Sequence, residues 1–222
     1  MAPLSPGRDC SLCPRLVHFR AAARAEHPDW HNAPVASFGG LDARLLIVGL
    51  APGLRGANRT GRPFTGDFAG GLLYRALGEF GFTTGRYDAR ADDGLRPIDC
   101  RITNAVRCVP PANKPTAAET AACGRFLVAE IAALDRLEAI LALGVVAHAA
   151  VLRASGLRPS AAPFRHGACH ALPKGLALAD SYHCSRYNTN TGRLTEAMFE
   201  AVFASLRTRL RVSAQPGSQR GM

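Results

Sequence analysis

The amino-acid sequence predicts an α/β fold, with three α/β/α layers built around a central, mainly parallel four-stranded sheet. Two observations carry this expectation. Short apolar runs ending in glycine or a polar turn alternate along the chain with segments of helical periodicity, and helices rather than hairpin turns separate the runs. Such alternation favours parallel strands joined by helical crossovers, with functional loops at the carboxyl ends of the strands. With 222 residues and no internal repeat, the chain suits one domain with a full-sized core, expected over residues 1–212.

The first strand is residues 44–49 (RLLIVG), a short apolar run closed by glycine. Leu72, Leu73, Ala76, Leu77 and Phe80 then recur at helical spacing, and Gly81 stands where a C-terminal cap belongs. Residues 100–106 alternate as a second strand and run into the turn-rich CVPPANKP. The following helix has a marked start. Thr116 and Glu119 have the spacing of a capping box, ahead of an apolar face formed by Phe126, Leu127, Ile131 and Leu134. Residues 137–143 give a third strand closed by Gly144, with a helical stretch over 145–152. Residues 177–182 give the fourth, and Leu194, Met198, Phe199, Val202, Phe203 and Leu206 put an apolar face on the last helix. The tail from Ser213 lacks apolar periodicity and is expected to be disordered.

Hydrophobic residues at 47% and charged residues at 20% are ordinary globular values, which argue against a disordered or fibrous chain. The longest apolar stretch, 126–151, is broken by Glu130, Asp135, Arg136 and Glu138, against a membrane span. The opening MAPLSPGRDC lacks the apolar segment of a secretion signal, so a cytoplasmic location is expected. In that reducing compartment seven cysteines are more natural as metal ligands or buried hydrophobes than as disulfides. The formal charge is +10, and only Lys114 and Lys174 among the basic residues are lysines. A GC-rich genome accounts for the arginine preference. It does not account for the excess of base over acid, which suits a polyanion such as nucleic acid.

Two loops fall at carboxyl ends of the predicted strands. In the first, GLAPGLRGANRTGRPFTGD over residues 49–67, small residues and a proline follow the strand directly, so backbone approaches a ligand closely. Arg59 and Arg62 supply anion-binding groups and Phe64 a flat apolar face, while the glycine spacing matches neither a dinucleotide fingerprint nor a Walker loop. The second loop, SYHCSRYNTNTGRLT over residues 181–195, holds His183. The cysteines are a third feature. Cys10 and Cys13 form a CxxC pair, and with the distant Cys108 and Cys123 they offer four soft ligands for a tetrahedral zinc or an iron–sulfur centre. Spacing alone does not choose between the two.

The 49–67 string resembles, nearly residue for residue, the first motif of the family 5 uracil-DNA glycosylases, and 181–195 resembles the second motif of that superfamily. Residues 30–53 and 92–115 are similar as well, so the resemblance covers most of residues 10–206. It implies a DNA-repair glycosylase that hydrolyses the N-glycosidic bond of flipped-out uracil to leave an abasic site, with no lyase step. Hypoxanthine and other deaminated bases are implied as further substrates. In this resemblance His183 reaches the O2 of the extruded base, Phe64 stacks on it, Asn104 reads its Watson–Crick edge, and Ala51 and Gly53 line its pocket. Arg59, Arg62, Ser185, Arg186, Tyr187, Asn188 and Arg193 are the expected DNA contacts, those after His183 wedging into the minor groove. A four-iron, four-sulfur (4Fe-4S) cluster on Cys10, Cys13, Cys108 and Cys123 is also implied, leaving Cys100, Cys169 and Cys184 without ligand roles.

One departure from the family pattern, and one residue of the first motif, bear on mechanism. Cys184 stands where the family usually has proline, from which a less rigid loop is expected. Ala51 stands where many relatives carry an acidic or amide side chain that positions the attacking water. Asp67 is the replacement carboxylate, with N-terminal capping of the next helix as its competing role. The expected partner is DNA containing uracil or other deaminated bases, bound by a monomer at the nucleoid. The competing class is a non-catalytic iron–sulfur or zinc module that recognises damaged or single-stranded DNA.

Overall fold

A computed structural model describes residues 4–213 of the chain. Helix α1 (Pro14–Glu26) precedes strand β1 (Leu45–Gly49), a single helical turn α2 (Ala57–Thr60) and helix α3 (Phe68–Glu79). A two-residue hairpin pairs β2 (Thr83–Thr84) with β3 (Arg96–Pro97). Strand β4 (Cys100–Asn104), helix α4 (Ala117–Ala133), strand β5 (Ala139–Leu143) and helix α5 (Val145–Ala154) follow. The chain continues through β6 (Cys169–Ala171), β7 (Ala177–Ser181), α6 (Arg186–Asn190) and α7 (Glu196–Ser213).

The main sheet has the order β4-β1-β5-β7-β6, with β1, β4, β5 and β7 mutually parallel and β6 antiparallel at the edge. It therefore has five strands, not the four expected. The fifth is three residues long and partly exposed throughout, so it has no apolar run to betray it. The four parallel strands are buried at every position, which is why they read as continuous apolar runs. Alternate residues serve opposite cores: Leu45 and Ile47 pack with α3 and α7, and Leu46 and Val48 pack with α4 and α5. Burying each such side chain contributes roughly 2 kcal/mol.

Helix ends follow local chemistry. Thr116 and Glu119 form the capping box in full, with Glu119 N–H donating to Thr116 Oγ1 at 3.2 Å and Thr116 N–H to Glu119 Oε2 at 2.7 Å. After α3, Gly81 takes φ +69° and the Phe82 N–H closes back onto the Leu77 carbonyl at 2.7 Å, the cap expected of a glycine there. No helix among the described residues is long and apolar enough to cross a membrane. The expected disordered tail lies outside the described residues except for Ser213, which ends α7.

Candidate active site

In parallel register Gly49 ends β1 opposite Asn104 at the end of β4, so the loops leaving both strands meet at one edge. There a cleft of about 980 Å³ opens, walled by the β1–α2 loop, the start of α3, the β5–α5 turn and the β7–α6 loop. Ala51, Gly53, Asp67, His183, Ser185 and Arg193 are among its lining residues. Phe64 and Asn104 lie beneath the open surface, 6% and 3% exposed. A Cβ on Gly49 would stand 2.4 Å from Asn104 Oδ1 and 2.4 Å from the Phe64 ring, so these three residues meet in one place. The Phe64 ring lies 6.0 Å from that of His183, inclined by 29°. Phe64 holds this position from the left-handed region, at φ +52°, with its carbonyl accepting from Tyr87 Oη at 3.3 Å.

Asp67 caps a helix and also borders the cleft. Its Oδ1 accepts from the Gly70 N–H at 3.2 Å, capping α3, while its side chain borders the cleft against Gly53 and Gly56. A Cβ on Gly56 would come within 2.5 Å of Asp67 Oδ2. Burial holds the Asp67 pKa above the usual aspartate value, with the Gly70 and Ala69 amides opposing that rise. Burial pushes His183 the other way, down to about 4, so its imidazole is neutral at physiological pH.

The second loop is tightly fastened. Ser185 caps α6 by accepting from the Asn188 N–H at 3.4 Å, and Asn188 Nδ2 donates to the His183 carbonyl at 2.8 Å. Cys184 is fully buried in the core beneath α3, with its thiol directed at the Ala69 carbonyl. In place of a proline, the burial of Cys184 and the Asn188 bond anchor this loop. Arg186 lies 5.2 Å over the Phe68 ring and Arg193 4.7 Å over the Tyr182 ring, both beside the cleft. Tyr187 is 72% exposed. Arg59 is exposed, with Nε donating to the Arg55 carbonyl at 2.9 Å.

Arg62 departs from its expected place. It is 5% exposed, forms a bidentate pair with Asp93 at 2.7 Å for both bonds, and lies against the Phe38, Tyr74 and Tyr87 rings. Its charge is spent inside the fold and is not presented to a ligand. Several cleft residues escaped the sequence reading: Arg55, Phe68, Val145, Val146, Phe164 and Tyr182. Gly144, closing a strand, was the available signal for the valines, because ligand sites gather at such ends. Phe164 had none. Its segment is tied to β7 by Asp180, which binds His148 at 2.7 Å, His170 at 3.0 Å and the Arg165 N–H at 3.3 Å.

The structure brings Cys10, Cys13, Cys108 and Cys123 together around a small separate cavity, with Leu16, Val106 and Phe126 as apolar walls. Cys13 immediately precedes α1, where the helix dipole favours a thiolate. The Arg107 N–H points at Cys123 Sγ at 3.3 Å. Burial and the neighbouring sulfurs raise the thiols of Cys13, Cys108 and Cys123, Cys108 to about 11. A bound cationic group reverses that preference. Cys100, Cys169 and Cys184 are not among the residues lining this cavity.

Residues 36–207 match the model of the uracil DNA glycosylase superfamily. A type-5 uracil-DNA glycosylase from Thermus thermophilus is 50% identical over 86% of this chain and 89% of its own. Another from Mycobacterium bovis is 44% identical over 87% of this chain and 75% of its own. One from Pyrobaculum aerophilum is 42% identical over 84% of this chain and 83% of its own.

Proposed function

Because the chain belongs to the uracil DNA glycosylase superfamily and is a DNA-repair hydrolase acting on N-glycosyl bonds, we propose that it accepts an extruded uracil at the floor of the cleft and leaves an intact abasic strand. The observation that carries this reading is the convergence of Gly49, Phe64, Asn104 and His183. Phe64 offers the base a stacking face and Asn104 an amide for its polar edge. Departure of the base puts negative charge on its O2, and a neutral His183 stabilises that charge by donating a hydrogen bond. No proton need leave the imidazole.

The sugar develops positive charge in the same step. Asp67, poorly solvated beside Gly53 and Gly56, answers it electrostatically and orients water across the space that Ala51 leaves open. Arg55, Arg186 and Arg193 around the cleft and the exposed Arg59 beyond it contact phosphates, and Tyr187 enters the space vacated by the base. A pocket without a polar side chain at position 51 suits hypoxanthine and other deaminated bases as well as uracil. A base-release panel on oligonucleotides carrying uracil, hypoxanthine, xanthine or a thymine mispair tests this. Free uracil and hypoxanthine with strand breaks only after alkali are expected; strand cleavage before alkali overturns the monofunctional reading, and release of uracil alone overturns the broader one.

The four cysteines fit a 4Fe-4S cluster. Four cysteines around one cavity supply the all-thiolate set that either a tetrahedral zinc or such a cluster takes, and the resemblance to the family 5 enzymes favours the cluster. When bound, the cluster supplies a cross-link between the amino-terminal segment and α4, and hydrolysis requires no electron from it. About four irons per chain and a broad brown absorbance are expected, whereas a colourless zinc protein would contradict the assignment.

A further inference from the structure

The cluster reading leaves one buried charge unexplained by the protein alone. Four arginines lie on α1 or beside the sulfurs, and three have a carboxylate partner. Arg15 pairs with Glu119 at 2.7 Å, Arg24 with Asp9 at 2.7 Å, and Arg107 with Glu130 at 2.5 Å. Arg20 has no ion pair among the described residues, although it is only 3% exposed. Its Nη1 donates to Cys108 Sγ at 3.4 Å and its Nη2 to the Cys10 carbonyl at 2.9 Å, while the buried Nε has no partner. A guanidinium keeps its charge at any accessible pH, and burying an uncompensated charge is costly. The negative groups near Arg20 are Asp9, whose carboxylate is paired with Arg24, and the cysteine sulfurs, which alone of these Arg20 bonds directly.

We propose that Arg20 is a positioning residue for the four-cysteine centre: it offsets the negative charge of the thiolates, bonds Cys108 directly and holds the Cys10 backbone in place. The proposal rests on the reading of the four cysteines as ligands. It gives Arg20 two effects on the bound group. Positive charge and an N–H···S bond favour the reduced, more negative form, so they raise the reduction potential. By fixing two ligands from opposite ends of the site, Arg20 also slows release of the group.

The test uses anaerobically purified full chain, comparing the unaltered protein with Arg20→Lys, Arg20→Gln and Arg20→Met. Iron and acid-labile sulfide are counted, the midpoint potential is measured by spectroelectrochemical titration, and loss of the brown absorbance is followed under air with a chelator. Arg20→Gln is expected to shift the potential negative and lose iron about ten-fold faster or more. Arg20→Lys, retaining charge without the planar fork, is expected to fall between it and the unaltered protein. If Arg20→Met does not fold, the Lys and Gln pair decides. Unchanged potential and retention in a folded Arg20→Gln protein overturn the proposal while leaving the cluster assignment intact. If the unaltered protein holds zinc, the iron–sulfur assignment fails and chelator-driven zinc loss judges Arg20 by the same ten-fold criterion. A chain that binds neither overturns both.

Discussion

Replacing Asp67 separates its two roles, because asparagine caps a helix as well as aspartate but carries no charge. The cap is the bond from the Gly70 N–H to Oδ1 at 3.2 Å. Asp67→Ala removes it and is expected to cost about 1 kcal/mol. Asp67→Asn keeps it and removes a carboxylate whose pKa burial has raised, so the folded state is expected to be as stable as before or slightly more so. Its single-turnover excision rate is nevertheless expected to drop roughly 10²- to 10³-fold, the usual scale for losing an electrostatic or water-orienting group. The assay is uracil release with enzyme in excess, alongside thermal unfolding of both variants. An Asp67→Asn protein excising within about three-fold of the unaltered rate, far below the loss assigned to such groups, would reduce Asp67 to a helix cap and refute the reasoning.

His183→Ala is expected to lower the single-turnover rate by about 10²-fold or more with little change in DNA affinity; equal losses in both would make His183 a binding residue. Since burial lowers the His183 pKa to about 4, the folded state keeps it neutral, and stability present above the ordinary histidine value of 6.5 is lost as pH falls toward 4. Acid unfolding of His183→Gln should therefore be less steep over that window, and an identical pH profile would count against burial as the cause. Gly49→Ala places a methyl 2.4 Å from both Asn104 Oδ1 and the Phe64 ring, so it is expected to abolish excision while DNA binding persists in a gel-shift assay; retained excision would move the base elsewhere. Arg62→Met is expected to destabilise the fold by about 3–5 kcal/mol by stranding buried Asp93, whereas Arg193→Ala should leave stability alone and reduce the salt slope of DNA binding by about 1. The reverse pattern would mean that Arg62 meets DNA.

What could be read from the sequence divides by the range of the interactions involved. The capping box at Thr116 and Glu119 is satisfied within four residues, and the strands are apolar because both faces are covered, so each left a local pattern. The motif loops were legible as loops, and their place after β1 and β7 brings His183 toward Phe64. Arg62 was misplaced because its partner lies 31 residues away; nothing in a polar string distinguishes an inward arginine from an outward one. Strand β6 has neither length nor apolar alternation. Cys184 read as a missing proline, and its anchoring by burial beneath α3 depends on the tertiary packing. The four cysteines stood out by their pattern and share one cavity, while nothing local singled out α1 or Arg20, whose burial and bond to Cys108 depend on the tertiary fold.

The most direct test of the base-holding floor is a crystal structure of the Asp67→Asn protein with a duplex containing one uracil. The proposed mechanism expects the uracil outside the helix, stacked on Phe64, its edge on Asn104 and its O2 within hydrogen-bonding reach of His183. A uracil still paired in the duplex, or a flipped base held elsewhere in the cleft away from Phe64 and His183, would contradict it.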